Sequence, residues 1–190
     1  LEGESQPFTC ENDYIAVTFD NKGGLISGVE LKEYKKYAEG ERTEPVKMML
    51  DGSAAFDIEL MHQGSTEYVK SGDYYFTPQV DSLENGCRVA MRLQLDSVSY
   101  MEYVYTIHNT GNKSKDYLVD FTINQQGLEN WLEAKDKIWL NWSNKSVKNE
   151  RNFGEFDIFE EAQIFLDRDY TSNYAGEQLP AQKKHLGCAF

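Results

Sequence analysis

The residues of this chain best suited to proton transfer are its three histidines, His62, His108 and His185. A sugar-ring-opening enzyme would need a histidine acid that faces a glutamate base in a cleft, and His108 with Glu102 is the pair that could serve. Both residues fall on one face of the same alternating run, and nothing marks the pair above chance. We therefore predict that His108 is a solvent-facing residue at the end of a strand.

Metal, serine and phosphate chemistry have weaker support. No histidine has a second ligand at metal-binding spacing, and no Gly-x-Ser-x-Gly elbow is present. The stretch "VTFDNKGGLISGVEL", residues 17–31, places Lys22 before two glycines, with a strand-like run after them. A phosphate-binding loop needs Gly-Lys followed by Ser or Thr at a helix start. We predict instead a hairpin turn in which Asn21 and the glycines supply positive φ angles, and we assign no catalytic, cofactor-binding or metal-binding residue.

An amide-rich stretch could line a carbohydrate groove. The sequence "DFTINQQGLENW" brings amides close to an aromatic ring at Asn124, Gln125, Gln126, Asn130 and Trp131. Sugar sites combine apolar and aromatic walls with a few placed polar groups, but we favour a polar loop with an anchoring tryptophan. Asn-x-Ser triplets at positions 112, 141 and 144 match the glycosylation pattern, and such short matches are frequent by chance.

The three cysteines, Cys10, Cys87 and Cys188, are far apart in sequence, so no Cys-x-x-Cys pair is present for zinc binding or thiol exchange. Their odd number leaves at least one thiol free or intermolecular. We favour the interpretation that they are small apolar fillers of the core, because free cysteine is commonly buried. A bridge between Cys10 and Cys87 stays open.

Composition excludes several partners. The net charge is −13, from 32 acidic and 19 basic residues, and no stripe of Lys and Arg is present, so we expect neither nucleic acid nor an anionic leaflet to bind this surface. No apolar run is long enough to span a bilayer, and the start lacks a signal peptide. The chain begins with Leu1, which suggests a soluble piece cut from something larger.

Alternating patterns dominate the chain and predict β-strands. In "CRVAMRLQL" the apolar residues Cys87, Val89, Met91, Leu93 and Leu95 fall on one face. The runs "YMEYVYTIHN" and "YLVDFTIN", separated by the turn "TGNKSKD", extend this strand into a three-stranded antiparallel meander.

Further runs read as shorter strands: "YIAVTF", "GVEL", "FDIEL", "KIWLNW", "FDIF" and "QIFL". Residues 127–136 form the best helical candidate, and residues 33–45 are interpreted as an exposed, solvated loop. Short strands between turn signals, with one or two short helices, predict an all-β antiparallel sandwich.

Three stretches in a fixed order carry a resemblance to a known family. They are "NDYIAVTFDNKGGLISGVELKEYKKY", "YVYTIHNTGNKSKDYLVDFTINQQGL" and "WLNWSNKSVKNERNFGEFDIF". Between about Phe8 and Tyr174 the chain resembles the large extracytoplasmic domain of bacterial YidC membrane protein insertases, particularly the forms in Bacteroidetes-like bacteria. The matched motifs are structural, so no catalytic residue is carried over.

The resemblance implies a twisted antiparallel β super-sandwich with galactose-mutarotase-like architecture. Residues 1–190 would form a single periplasmic domain that is truncated at its C-terminal end. It would lie on the periplasmic side of the inner membrane, tethered through helices absent from this chain, and the acidic balance is compatible with that place.

The function expected from the resemblance is non-enzymatic and needs no cofactor. The domain would support the insertion and folding of membrane proteins as a scaffold or interaction surface, with Sec translocon components and nascent membrane proteins as partners. The alternative is a carbohydrate-binding or mutarotase-like protein that uses a cleft of the same fold, in which His108 or His62 would face a carboxylate.

Overall fold

The computed structural model describes residues 3–36, 44–49, 52–133, 139–144, 162–165 and 171–174. Antiparallel strands make up most of this part of the chain, as the alternating patterns predict, and the α-helices in it have a single turn. The Cα positions group into two compact units, Leu1–Asn149 and Glu150–Phe190. The all-β prediction is thus confirmed.

The strands of the first unit are β1 (Phe8–Glu11), β2 (Ile15–Asp20), β3 (Leu25–Lys35), β4 (Pro45–Met49), β5 (Ala54–Met61), β6 (Tyr68–Lys70), β7 (Thr77–Leu83), β8 (Gly86–Gln94), β9 (Tyr100–His108), β10 (Val119–Gln126) and β11 (Trp139–Asn144). The one-turn helices are α1 (Lys113–Asp116) and α2 (Leu128–Trp131), and a 3-10 turn spans Ser71–Asp73. In the second unit, β12 (Ala162–Phe165) and β13 (Thr171–Tyr174) pair antiparallel.

The first unit contains three sheets in the described residues, with strand orders β1-β2-β3-β4, β10-β9-β8-β7 and β11-β5-β6. We call the second of these the meander sheet. One face of the meander sheet is covered by both other sheets. The Phe19 ring of β2 packs at a tilt against Tyr105 of β9 with centroids 5.1 Å apart, and Phe56 of β5 packs edge-on against Tyr103 of β9 at 5.5 Å. The result is a two-layered β-sandwich with one shared core.

The alternation of apolar and polar residues in the sequence correctly predicts which side chains form this core. Val89, Met91 and Leu93 of β8 are buried while Arg92 between them is exposed. The β8–β9 pairing runs without a shift from Gly86 opposite His108 to Gln94 opposite Tyr100, and β9 pairs with β10 in the same regular way. The predicted three-stranded meander is confirmed, and β7 extends it by a fourth strand.

Two tyrosines of β9 keep their hydroxyl groups inside the core. The Tyr103 hydroxyl donates to Ser71 Oγ at 3.0 Å, and the Tyr105 hydroxyl donates to the carbonyl oxygen of Gly24 at 2.9 Å. Burial raises the pKa of both phenols well above the ordinary value. Each hydroxyl therefore acts as a neutral donor that ties the meander sheet to the opposite layer.

The Gly-Gly stretch is a hairpin turn between β2 and β3, as predicted, with φ angles of 74° at Gly23 and 63° at Gly24. The turn is held by the segment before β7, because Gly23 N donates to Tyr74 O and Phe76 N donates to Asn21 O, each at 2.8 Å. A Cβ at Gly24 would lie 2.8 Å from the Phe76 ring. Glycine is needed here for its backbone conformation and for its lack of a side chain.

Three local predictions need correction. The turn "TGNKSKD" contains the one-turn helix α1, because Asn112 Oδ1 accepts from Ser114 N and caps it. Of the predicted helix over 127–136, the described residues 127–133 are helical only over α2, since Leu132 turns extended and bridges to His62. Residues 134–136 lie outside the described part. The predicted loop 33–45 begins as strand, because β3 continues to Lys35; residues 37–43 lie outside the described part.

The cysteines need a correction of a different kind. Cys10 and Cys87 are both buried, as expected of core residues, but the favoured interpretation of separate fillers is wrong: the alternative left open, a disulfide between them, is present with Cα atoms 6.9 Å apart. The reason is topological: β1 lies against β8 across the core, which a linear sequence does not reveal. Cys188 lies outside the described residues.

Candidate functional site

Glu102, the candidate base, forms hydrogen bonds and ion pairs with arginine side chains on the outer face of the meander sheet. Its Oε1 accepts from Arg92 Nε at 3.0 Å and from Arg92 Nη2 at 2.7 Å, and its Oε2 lies 3.9 Å from Arg88 Nη2. Arg88 also reaches Asp81, and the Arg92 guanidinium lies 4.1 Å above the Tyr100 ring. We call these five residues the charged ladder, which crosses β7, β8 and β9.

A carboxylate in this position is poorly suited to accept a proton in catalysis. Two guanidinium groups compensate the charge of Glu102, whose side chain is only 10% exposed. Hydrogen bonds to ionised partners are among the stronger ones in proteins, so the arrangement stabilises the sheet. The charged ladder therefore stabilises this surface, and its guanidinium groups hold the Glu102 carboxylate.

His108 also has a partner, but a different one from the candidate base. Its Nε2 lies 2.7 Å from Asp120 Oδ2 on β10, at the solvent-facing end of β9, as predicted for this residue. Glu102 lies six positions away on the same strand, which corresponds to about 20 Å. His108 thus faces a carboxylate on an open sheet surface, and the structure does not bring the pair His108 and Glu102 together.

His62 is exposed beyond the end of β5 and packs edge-on against Trp131 at 4.7 Å between ring centroids. The backbone on either side of His62 is hydrogen-bonded to the end of α2. Gln63 N donates to Trp131 O and Glu133 N donates to Met61 O, each at 2.8 Å. This histidine is therefore part of a strand-end packing contact. His185 lies outside the described residues.

The amides expected near Trp131 do not form a groove with it. Asn124 and Gln126 are exposed on β10, and Gln125 Oε1 accepts from Leu128 N at the start of α2. Trp131 instead lines a cavity of about 80 Å³. Its other lining residues are Leu60, Val69, Ser71, Tyr74, Leu93 and Leu95.

That cavity is far smaller than the roughly 300–1,000 Å³ of typical small-molecule sites. Its walls are mainly apolar and include no amide side chain. The favoured interpretation of a polar loop with an anchoring tryptophan agrees with this geometry, whereas a hexose site would need more space and more hydrogen-bonding groups.

Asn12 forms the main polar connection between the layers at one end of the sandwich. Its Nδ2 donates to His108 O and to Asp116 O, both at 2.6 Å, and its Oδ1 accepts from Tyr14 N and Ile15 N, both at 2.7 Å. The residue is 4% exposed. The amide of Asn12 thus makes four hydrogen bonds, two donated and two accepted, which fixes the end of β1 against the meander sheet.

Asp116, at the end of α1, is fully buried beside this connection. Its carboxylate accepts from Thr110 N and from Thr110 Oγ1, each at 2.9 Å. Burial alone raises the pKa of Asp116, but the hydrogen bonds from Thr110 and Gly111 and the nearby charge of His108 outweigh it, so the net pKa is lowered. The group remains ionised and holds the loop after β9 in place.

A tyrosine-containing cluster lies at the same end of the sandwich. Glu33 Oε2 accepts from Lys113 Nζ at 2.7 Å and from the Tyr117 hydroxyl at 3.0 Å. These hydrogen bonds lower the pKa of Glu33, while burial and the carboxylate raise the pKa of Tyr117 to about 12. The ring of Tyr117 also contacts Tyr14 and Tyr34. The contacts connect β3 to α1 and provide no reactive group.

The described residues contain neither a metal-binding cluster nor a membrane-spanning helix. No group of three or more His, Cys, Asp and Glu side chains in them is arranged to hold a metal ion. No helix in the same part of the chain has the length and apolar character required to cross a membrane.

Sequence reasoning missed the charged ladder and Asn12. Arg88 and Arg92 lie four residues apart in an alternating strand, so the sequence predicts that both side chains lie on its outward face. Their pairing with Glu102 depends on the β8–β9 register, which the sequence does not reveal. Asn12 stands in the short "END" link between two strand-like runs, which marks a turn. Its contacts with His108 and Asp116 are not readable from sequence.

Comparison with known proteins gives a consistent family. The model of the YidC periplasmic domain matches residues 8–183. The chain is similar to the membrane protein insertase YidC of Bacteroides fragilis, with 28% identity over 153 residues, which are 80% of this chain and 22% of the relative. The corresponding protein of Phocaeicola vulgatus is 26% identical over 185 residues, covering 96% of this chain and 27% of the relative.

A third relative, the membrane protein insertase YidC of Parabacteroides distasonis, is 29% identical over 178 residues, which are 92% of this chain and 24% of the relative. The chain thus spans about a quarter of the length of the curated relatives it matches. No solved structure matches, so the galactose-mutarotase-like detail of the fold stays a prediction. The match over residues 8–183, together with the antiparallel β-sandwich, shows that the chain belongs to the YidC periplasmic domain family.

Proposed function

We propose that this chain is the non-catalytic periplasmic domain of a YidC-type insertase and that it supports the insertion and folding of membrane proteins as a scaffold or interaction surface. The observation that carries the proposal is the family match, which spans residues 8–183. Relatives over this length are named membrane protein insertases. The domain lies on the periplasmic side of the inner membrane.

The side chains support a non-catalytic role. Glu102 is neutralised by Arg92 and Arg88, and His108 is paired with Asp120 on an exposed face. The cavity beside Trp131 is too small and too apolar for a sugar. The strongest candidates for acid-base chemistry therefore stabilise the sandwich, which does not favour the mutarotase alternative.

The proposed partners are Sec translocon components and nascent membrane proteins. A periplasmic domain tethered through helices outside this chain would meet such partners at the membrane surface. The fold offers a rigid surface for that purpose, because the charged ladder fixes long side chains on the outer face of the meander sheet. Rigid, preorganised side chains lose less entropy when a partner binds.

The proposal is tested by exchange in a living cell. The insertase of Bacteroides fragilis is placed under a depletable promoter, and a second copy carries residues 8–183 of this chain in place of its own matching segment. We expect the exchanged protein to restore growth and membrane insertion of a reporter. Failure of an expressed, correctly located exchange protein, with an exchange from Phocaeicola vulgatus working in parallel, would count against the proposal.

The partners and the sugar alternative need separate measurements. A photo-crosslinking amino acid at Gln79, on the outer face beside the charged ladder, is expected to capture translocon components or nascent chains, whereas the same group at the exposed Tyr68 of β6, in another sheet, should capture few or none. Calorimetric titration of the isolated chain against hexoses and glycans is expected to give no saturable heat. Saturable binding or anomer exchange would instead support the carbohydrate-binding alternative.

A further inference from the structure

Two chemically different contacts, a disulfide bond and side-chain hydrogen bonds, join the end of β1 to the meander sheet. Cys10 of β1 is bonded to Cys87 of β8, and two residues later Asn12 donates to the carbonyl oxygen of His108 at the end of β9. The connections are neighbours in space as well, because Cys87 pairs with Ile107 across the β8–β9 ladder, next to His108.

The strand that carries both connections is short and lies at a sheet edge. Its side chains also contact β2: the Phe8 ring stacks on Phe19 at 5.5 Å, and Thr9 Oγ1 lies 3.2 Å from Thr18 Oγ1. Among the described residues β1 is the terminal strand of its sheet, paired over four positions with β2 alone. Lys32 adds a bond from its Nζ to Asn12 O at 2.6 Å and an ion pair with Glu11 at 2.9 Å. An edge strand of this length is among the first elements expected to open locally.

Both cysteines are closed off while β1 is in place. Cys10 is 9% exposed and Cys87 is 8% exposed, and both belong to the main hydrophobic core. Thiol–disulfide exchange needs a thiolate that can reach the attacking or attacked sulfur. In the folded protein neither an oxidant nor a reductant gains that access unless β1 first separates from the meander sheet.

We propose that β1 is a latch for oxidative maturation: the polar connection of Asn12 holds the newly folded dithiol, and transient opening of β1 then lets an oxidant join Cys10 to Cys87. The proposal rests on the periplasmic place of the domain, since the bacterial periplasm is oxidising. Once formed, the disulfide is buried and resists reduction, so the step runs in one direction.

The chemistry balances as two exchange steps with an oxidised protein dithiol, a disulfide oxidant. The thiolate of one cysteine attacks the oxidant's disulfide, which forms a mixed disulfide and releases one thiolate of the oxidant. The second cysteine loses its proton and attacks the mixed disulfide. The Cys10–Cys87 bond forms, and the oxidant leaves as a dithiol that carries the two electrons and two protons.

The test uses the 190-residue chain with Cys188→Ser, which removes the third thiol. Protein exported to the periplasm is expected to lack free thiols under denaturing alkylation, whereas protein made in the cytoplasm should be a folded dithiol. In that dithiol, Asn12→Ala should speed native-state alkylation of both cysteines, and oxidation by a disulfide oxidant, by about tenfold, because opening β1 no longer breaks the hydrogen bonds of the Asn12 amide.

Lys32→Ala provides a second, milder variant in case Asn12→Ala does not fold, and it should speed both reactions severalfold. Lys70→Ala, which removes a lysine from β6 in another sheet, is the matched control and should change neither rate. The latch is rejected if exported protein keeps both thiols free, or if alkylation rates are the same in Lys32→Ala and Lys70→Ala. These outcomes leave the exchange experiment on insertase function unaffected, so the two proposals fail separately.

Discussion

The side-chain nitrogen of Asn12 lies 2.6 Å from the carbonyl oxygen of His108, a residue 96 positions further along the chain. The same nitrogen reaches Asp116 O, so one amide serves two backbone acceptors of the opposite layer. We predict that Asn12→Ala lowers the free energy of unfolding by about 2–4 kcal/mol, because buried acceptors and donors lose their partner. Urea unfolding followed by circular dichroism measures the change.

The matched control for this prediction is Gln126→Ala, which removes an exposed amide from β10. Its effect should stay within about 0.5 kcal/mol, as is usual at surface positions. Equal losses in the two variants would show that the Asn12 amide contributes little to the connection between the layers.

Two glycine-to-alanine variants separate the cost of a positive φ angle from the cost of a steric clash. Gly24 and Gly52 both have positive φ angles, 63° and 72°, but a Cβ meets the Phe76 ring at Gly24 and nothing within 4 Å at Gly52. We expect Gly52→Ala to cost about 1 kcal/mol from φ alone and Gly24→Ala to cost about 3 kcal/mol. Thermal and urea unfolding of the two variants would contradict this if their losses were equal.

The charged ladder can be tested by a double-mutant cycle. We predict a coupling energy of about 1–2 kcal/mol between Arg92 and Glu102, since Glu102 accepts two guanidinium hydrogen bonds and is almost buried. The comparison pair is Lys70 and Glu59, 3.9 Å apart with a more exposed lysine, for which about 0.3 kcal/mol is expected. Cycles that rank the pairs in the opposite order would refute a stabilising role for the ladder.

The lowered pKa of Asp116 lets us predict how the free energy of unfolding changes at acidic pH. Its folded pKa lies below the ordinary value of 3.8, so its contribution is fully present above about pH 4 and is lost as pH falls through the folded pKa. Between about pH 5 and pH 2.5 the parent protein should therefore lose more stability than Asp116→Asn does. Glu33, whose pKa is also lowered, contributes with the same sign.

Thr110→Ala tests the cause of the acid dependence, because it removes one donor to the Asp116 carboxylate and leaves the carboxylate in place. It should reduce the loss of stability in acid without abolishing it. Glu129→Gln, at an exposed position of α2, is the charge-matched control. An unchanged acid profile in Asp116→Asn would overturn the assignment.

Much of the sandwich is predictable because alternation is a local property. The period-two runs around Val89, Tyr103 and Phe19 report which side of each strand is apolar, and all three residues are buried. The hairpin at the two glycines is predictable for the same reason: its turn residues and flanking strands are contiguous in sequence.

Contacts between segments that are distant in sequence could not be predicted in this way. The pairing of Glu102 with Arg92 follows only from the β8–β9 register, and the bond between Cys10 and Cys87 follows only from how the layers stack. The helix predicted over 127–136 shows a second limit. Its local periodicity favours a longer helix, but tertiary hydrogen bonds draw Leu132 back toward β5.

The hydrogen bond from the buried Tyr105 hydroxyl to Gly24 O makes the hairpin turn part of the core, although it looks like an ordinary surface loop in the sequence. Turns at Gly52 and Gly64 differ, since a side chain placed there meets nothing within 4 Å. Epitope tags, fluorophore sites or short inserted peptides should be tolerated at those two turns and rejected at Gly23 and Gly24. The domain therefore offers defined attachment points for following it in the cell.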